Sequence, residues 1–189
     1  NDKALLTELL QRIRQRDAYQ RLLTIHDDKS YCADPERTSV LDFLSLQHHQ
    51  EFNILPQYEY LRHGMPVLNS EYAYECGPGG LDDITYGEGN VISNYMHRTY
   101  DVAMGGGSVA YYYTFTAWDV IRADDTPPGY QAHKAFSQLF TSRPWWQFEP
   151  RVDLCMWTPT ACFANEAKGK YLLKMNRHGR FLMDKDFSQ

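Results

Sequence analysis

The residues of this chain that invite chemistry sit at a repeated place, directly after short apolar runs. The run 22–25 ends in His26-Asp27-Asp28, the run 43–46 in Gln47-His48-His49, and the run 66–68 in Asn69-Ser70-Glu71. A later run, 110–116, leads into Ala117-Trp118-Asp119. Glu75 follows Glu71 four residues on, with Tyr72 and Tyr74 between them. A carboxylate such as Glu71 can attack an electrophile or exchange a proton. His26, Gln47 and His48 offer donors and acceptors of the kind that pair with sugar hydroxyls. Trp118, with Tyr112 or Tyr113 beside it, presents a flat apolar face that suits a sugar ring as well as a core. Each also has a structural use. A His closing a strand commonly satisfies its own surroundings, and alternation along a strand buries one of the Tyr112 and Tyr113 pair. Glu75 has three readings: a ligand for sugar hydroxyls, an orienter of Tyr72 and Tyr74, or the anchor of its own loop through an ion pair.

Other chemistries find less support. His48-His49 lacks a third and fourth ligand at suitable spacing, and Cys32, Cys76, Cys155 and Cys162 show no CxxC spacing, so neither a metal nor any other cofactor is expected. A disulfide between Cys155 and Cys162 stays open. The glycines at 105–107 and in the loop 77–80 lack the lysine and the strand-to-helix context of a phosphate loop and read as turns. No GxSxG elbow and no protease-like cysteine context is present. Asp82 and Asp83 sit in a Gly-rich loop, where an acid is usually solvated.

The elements that must position these residues alternate. Leu5, Leu6, Leu9, Leu10 and Ile13 form one stripe at helical spacing within 4–17. The short apolar runs 22–25, 43–46, 66–68 and 110–116 fit buried parallel strands. Helices are expected over 56–62, 91–104 and 130–140, the last between Pro128-Gly129 and Arg143-Pro144. Residues 27–40, rich in Asp, Ser, Pro and Thr, read as loop, so one crossover helix is reduced or missing. Helix-then-strand repetition is the α/β grammar. From 152 onward short alternating segments, ACFAN, KYLLKM and RFLMD, separated by Gly169 and Arg177-His178-Gly179, read as antiparallel hairpins. The expected division is an α/β unit over 1–150 and a partial β-domain over 151–189, short of the roughly 100 residues of a complete β-sandwich.

Bulk properties narrow the partners. The 189 residues are 43% hydrophobic and 23% charged, as in an ordinary globular chain, and are rich in aromatics, with 14 Tyr, 9 Phe and 4 Trp. With 19 Lys and Arg against 24 Asp and Glu the net charge is -5, and the cations are scattered, which argues against a nucleic-acid partner. No stretch approaches the roughly 20 apolar residues of a membrane span. Asn1 opens neither an initiator-type start nor a signal peptide, so the natural N-terminus is expected elsewhere.

Three stretches carry a family resemblance: LDFLSLQHH at 41–49, MPVLNSEYAYE at 65–75 and RPWWQFEP at 143–150. In order and spacing they resemble the apiosidase-like glycoside hydrolases, bacterial polysaccharide-degrading enzymes with a (β/α)8 barrel and a small C-terminal β-domain. The resemblance spans roughly residues 20–183. It implies that 65–75 is the seventh barrel strand with Glu71 as catalytic nucleophile, and that 22–25, 43–46 and 111–116 are strands five, six and eight. The chain would then be the C-terminal half of the barrel followed by the start of an antiparallel β-sandwich domain. In this family the general acid/base lies at the end of strand four, for which this chain has no counterpart. A missing N-terminal half or a complementing chain is therefore an expected partner, and the isolated chain is expected to be inactive. The resemblance further implies a retaining mechanism on plant or microbial polysaccharide. It places His26, Gln47, His48, Tyr74, Glu75, Tyr113 and Trp118 around the substrate, packs Trp145 and Trp146 between barrel and β-domain, and implies a periplasmic or extracellular location. The alternative is a non-catalytic carbohydrate-binding or structural remnant.

Overall fold

In a computed structural model the chain is described over residues 2–27, 34–47, 55–75, 92–113, 126–127, 129–154 and 160–175. The described elements alternate as the apolar runs predict: α1 (Asp2–Arg16), β1 (His26–Asp27), α2 (Pro35–Thr38), β2 (Leu44–Leu46), α3 (Leu55–His63), β3 (Val67–Asn69), α4 (Ile92–Met104), β4 (Ser108–Val109) and α5 (Tyr130–Thr141). The four strands form one parallel sheet in chain order, β1-β2-β3-β4. His26 pairs with Ser45, Ser45 with Leu68, and Leu68 with Ser108. Because the strands are parallel, all four C-terminal ends lie along one edge. Among the described residues the helix between β1 and β2 is the four-residue α2.

The first core cluster joins α1 to the sheet through Leu10, Leu41, Leu44, Leu46 and Val67. Only Leu10 of the α1 stripe is buried, while Leu5, Leu9 and Ile13 stay exposed. The second cluster packs α4 against the chain after β3, through Tyr72, Ala73, Tyr95 and Val102.

Two strands begin or end elsewhere than their apolar runs predict. Residues 22–25 run beside β2 without joining the sheet as a strand: the Asp42 carboxylate accepts the Leu23 N–H at 2.7 Å, and the Thr24 hydroxyl donates to Phe43 O at 2.7 Å. Side chains occupy positions that backbone partners would fill in a ladder, and regular pairing starts only at His26. β4 is Ser108–Val109, earlier than 110. Beyond it the Tyr95 hydroxyl takes the Tyr112 N–H at 3.1 Å and donates to Ala110 O at 3.3 Å, again in place of a strand. Parallel pairing resumes at one bridge, Glu75 with Tyr113.

The C-terminal part is a three-stranded antiparallel sheet of β5 (Glu149–Pro150), β6 (Thr160–Asn165) and β7 (Lys170–Met175), in that order. Gly169 closes the β6–β7 turn at φ +60°, a left-handed backbone that glycine adopts without Cβ strain. Met104, Phe148, Ala161 and Phe163 seal this sheet to α4. Lys174 of β7 adds a polar staple, donating to His97 O at 2.8 Å and pairing with Asp101 at 2.5 Å. Cys162 is buried in β6, and Cys155 lies outside the described residues. Trp145 lines a cavity of about 190 Å³ with Ala103, Val109, Phe136, Phe140 and Phe163, whereas Trp146 is exposed and does not pack as expected.

Candidate active site

Toward the C-terminal edge of the parallel sheet lie His26 in the two-residue β1, Gln47 directly after β2, Glu71 after β3, and 111–113 after β4. His26 lies in the first strand and Glu71 in the turn after the third, so their side chains meet over the second. Ser45 of β2, a small residue, pairs with His26 on one side and with Leu68 on the other. Its hydroxyl lies 3.0 Å from the Ser70 hydroxyl.

Glu71 sits in the turn that leaves β3, with its side chain 14% exposed. The Tyr74 hydroxyl donates to its Oε1 at 2.6 Å, and His26 Nε2 lies 3.3 Å from its Oε2. Each carboxylate oxygen therefore has a partner. A phenol three residues on is a local device, whereas the His26 contact depends on the parallel register. The His26 ring remains 43% exposed, so the pair faces an accessible space. An imidazole beside a carboxylate is an arrangement able to exchange a proton with a ligand, and a carboxylate can also attack an electrophile.

Behind Glu71 lies a second polar layer. Tyr74 is buried and stacks obliquely on Tyr112, with centroids 5.1 Å apart. Glu75 is fully buried, its Oε2 accepting the Tyr111 O–H at 2.5 Å and the Gly129 N–H at 3.0 Å. The Tyr72 hydroxyl meets Thr99 at 2.6 Å, and Thr99 donates to Tyr95 O at 3.0 Å. Burial raises the pKa of Tyr72 and pushes Tyr95 up to about 12. Burial, followed by the neighbouring Glu75 carboxylate, raises Tyr111 as well. These phenols stay protonated and serve as donors. His133 packs against Tyr111 at 4.4 Å and Tyr95 at 5.4 Å, and burial pushes its pKa down to about 4.

Of the residues singled out in the sequence, Glu71, His26 and Tyr74 come into direct contact. Gln47 shares their edge and is half-buried. Tyr74 and Glu75 are turned to protein partners and shielded from solvent, and half-buried Tyr113 pairs its backbone with Glu75. His48, Trp118, Asp82 and Asp83 lie outside the described residues. Sequence reasoning missed Tyr111, Gly129, Tyr95, Thr99 and His133. Tyr95 and Thr99 at i and i+4 on α4 were the one available signal, a polar stripe on an otherwise apolar helix face. Among the described residues no three His, Cys, Asp or Glu side chains cluster as a metal site requires.

No family model and no curated protein matches the chain. Among solved structures it is similar to a glycoside hydrolase with a TM-score of 0.61 at 17% identity, over 82% of this chain and 44% of that one. It is similar also to a glycoside hydrolase family 5 protein from Bacteroides vulgatus, with a TM-score of 0.59 at 17% identity, over 82% of this chain and 42% of the other. The chain thus spans less than half the length of either structure. At this identity the likeness is one of fold: a mixed α/β chain with parallel and antiparallel sheets, arranged as in part of these glycoside hydrolase structures.

Proposed function

We propose that the chain is part of a retaining glycosidase of the apiosidase-like type, acting on plant or microbial polysaccharide, with Glu71 as nucleophile. The observation that carries this reading is the placement of Glu71 at the C-terminal edge of the parallel sheet, with one oxygen on Tyr74 and the other beside His26. In a (β/α)8 barrel that edge is where side chains from separate strands converge on a pocket. On this reading β1 to β4 are barrel strands five to eight, and α1 is the helix that precedes strand five. His26 and Gln47 bind sugar hydroxyls beside the nucleophile, with His48 and Trp118 completing the subsite. Tyr74 holds the carboxylate.

Retaining hydrolysis needs a second carboxyl group about 5 to 5.5 Å from the first. Glu75 does not supply it, because its carboxylate is buried on Tyr111 and Gly129. The acid/base is assigned to an N-terminal barrel half or a complementing chain, with the protein exported to the periplasm or beyond.

The test is turnover of aryl glycosides by this chain alone and joined to the segment its gene encodes upstream. Glu71→Gln is expected to lower kcat by more than about 1,000-fold, because a carboxamide cannot form the glycosyl ester. NMR of the first-formed sugar is expected to show the anomer of the substrate. Inversion, or full activity of Glu71→Gln, overturns the assignment. A chain that binds glycans but stays inert with its upstream segment attached is the carbohydrate-binding remnant instead.

A further inference from the structure

The turn that carries Glu71 is longer than the strand beside it requires. From the Asn69–Val109 pair to the Glu75–Tyr113 bridge, one chain advances from 69 to 75 while its neighbour advances only from 109 to 113. The surplus residues bulge out between Ser70 and Tyr74, and that bulge presents Glu71. An extra-residue bulge re-aims a side chain, but it holds a fixed aim only if both of its ends are pinned. The front end is pinned to β2: Ser70 N–H donates to Leu46 O at 3.0 Å, and the Ser70 and Ser45 hydroxyls meet. The back end is Glu75. Its N–H donates to Tyr112 O at 3.0 Å, and its carboxylate reaches across to Tyr111 and to Gly129 at the head of α5.

A fully buried carboxylate is costly to keep unless its surroundings compensate it. Here a phenol O–H, a backbone N–H and the positive end of a twelve-residue helix do so. Gly129 shows that the site is shaped for this approach. Its φ of -72° suits any residue, yet a Cβ there would lie 2.1 Å from Glu75 Oε2 and 2.8 Å from Ile92 Cδ1. Only glycine lets the carboxylate reach that N–H.

The geometry points to Glu75 as a positioning residue: it clamps the back of the Glu71 turn to α5 and β4, and thereby fixes the pose of Glu71 against His26. This rests on Glu71 being the reactive carboxylate and adds what holds it in place. Both hydrogen bonds go to Oε2, while Oε1 has no partner among the described residues. Glutamine can therefore keep the clamp, with its carbonyl oxygen at the Oε2 position. Alanine cannot.

The experiment follows the His26 ring by ¹H–¹⁵N NMR in this chain, with Glu71→Gln as the reference that changes its partner. Glu75→Ala and Gly129→Ala are expected to move the His26 ring signals as the reference does, and Glu75→Gln to leave them in place. His26 signals that stay at wild-type positions in folded Glu75→Ala overturn the proposal. Should that variant fail to fold, Gly129→Ala decides by the same two outcomes, because it keeps the Glu75 side chain and crowds its carboxylate most closely, ahead of Ile92 and Tyr111. In whatever form of the protein turns over aryl glycosides, Glu75→Ala is expected to lower kcat about 100-fold, the scale of a misplaced reacting group, with KM within about twofold of wild type. A raised KM at unchanged kcat makes Glu75 a substrate ligand and also overturns the proposal. Signals that move as expected in a protein with no turnover uphold the clamp and remove the glycosidase reading, so the two fail separately.

Discussion

His133 makes the stability of this chain depend on pH in a window that can be worked out from its surroundings. The ring lies on α5 among Tyr111, Tyr95 and Phe136, at centroid distances of 4.4, 5.4 and 6.0 Å. Its Nε2 is buried with no hydrogen-bond partner among the described residues. A proton added there meets no hydrogen-bond acceptor among the described residues and little water, and burial pushes the pKa from 6.5 down to about 4. The unfolded chain takes up that proton near pH 6.5 and the folded chain resists until about pH 4. Unfolding therefore binds a proton in this window, and stability falls as the pH drops through it. The full difference corresponds to at most about 3.4 kcal/mol. The ring keeps some contact with solvent, so about 1 to 2 kcal/mol is the expected size. The assay is the urea midpoint at pH 7, 6, 5 and 4 for wild type and His133→Phe, which keeps an aromatic ring in the cluster. Wild type should lose about 1 to 2 kcal/mol more than the variant between pH 7 and 4, whatever constant offset the substitution brings. The lowered carboxylates Asp17, Asp42 and Asp153 are common to both proteins and cancel in the comparison. Parallel pH curves for the two proteins would refute the reasoning. Because His133 packs on Tyr111, which holds Glu75, acid is expected to loosen the Glu71 turn first.

Two further substitutions probe what holds the site's frame together. Lys174→Met removes the staple between β7 and α4 and leaves the partly buried Asp101 without its cation, so a loss of about 1 to 3 kcal/mol is expected in urea unfolding. Proteolysis should then begin in the antiparallel sheet, and a melt unchanged from wild type would count against the staple. Leu44→Ala empties a fully buried position in the cluster under α1 and β2, with an expected loss of about 2 to 5 kcal/mol read from the urea midpoint. A loss below about 1 kcal/mol would mean that α1 does not seal this core.

The parts of this structure legible in the sequence were those written locally. α4 and α5 begin and end within a residue of their periodic patterns, because glycines follow α4 and Pro128-Gly129 and Pro144 flank α5. β2 and β3 are short, mostly apolar and largely buried, as strands inside a parallel sheet are, and their apolar runs were visible in the sequence. Their edges were misread where a distant side chain displaced the ladder: Asp42 beside 22–25, and Tyr95 beside 110–112. The same division runs through the site. Tyr74 contacts Glu71 from three residues away, and the motif around them was visible at once. The partners of Glu75 come from 36 and 54 residues away, and nothing in a stretch of chain reveals that a phenol and a helix N-terminus converge on one oxygen. In sequence, an acid in a tyrosine-rich turn reads equally as a sugar ligand or an anchor. What separates the two is whether donors reach it from the protein side. Here both do, and the close approach of Gly129, which a single Cβ would abolish, marks the contact as part of the architecture of the Glu71 turn.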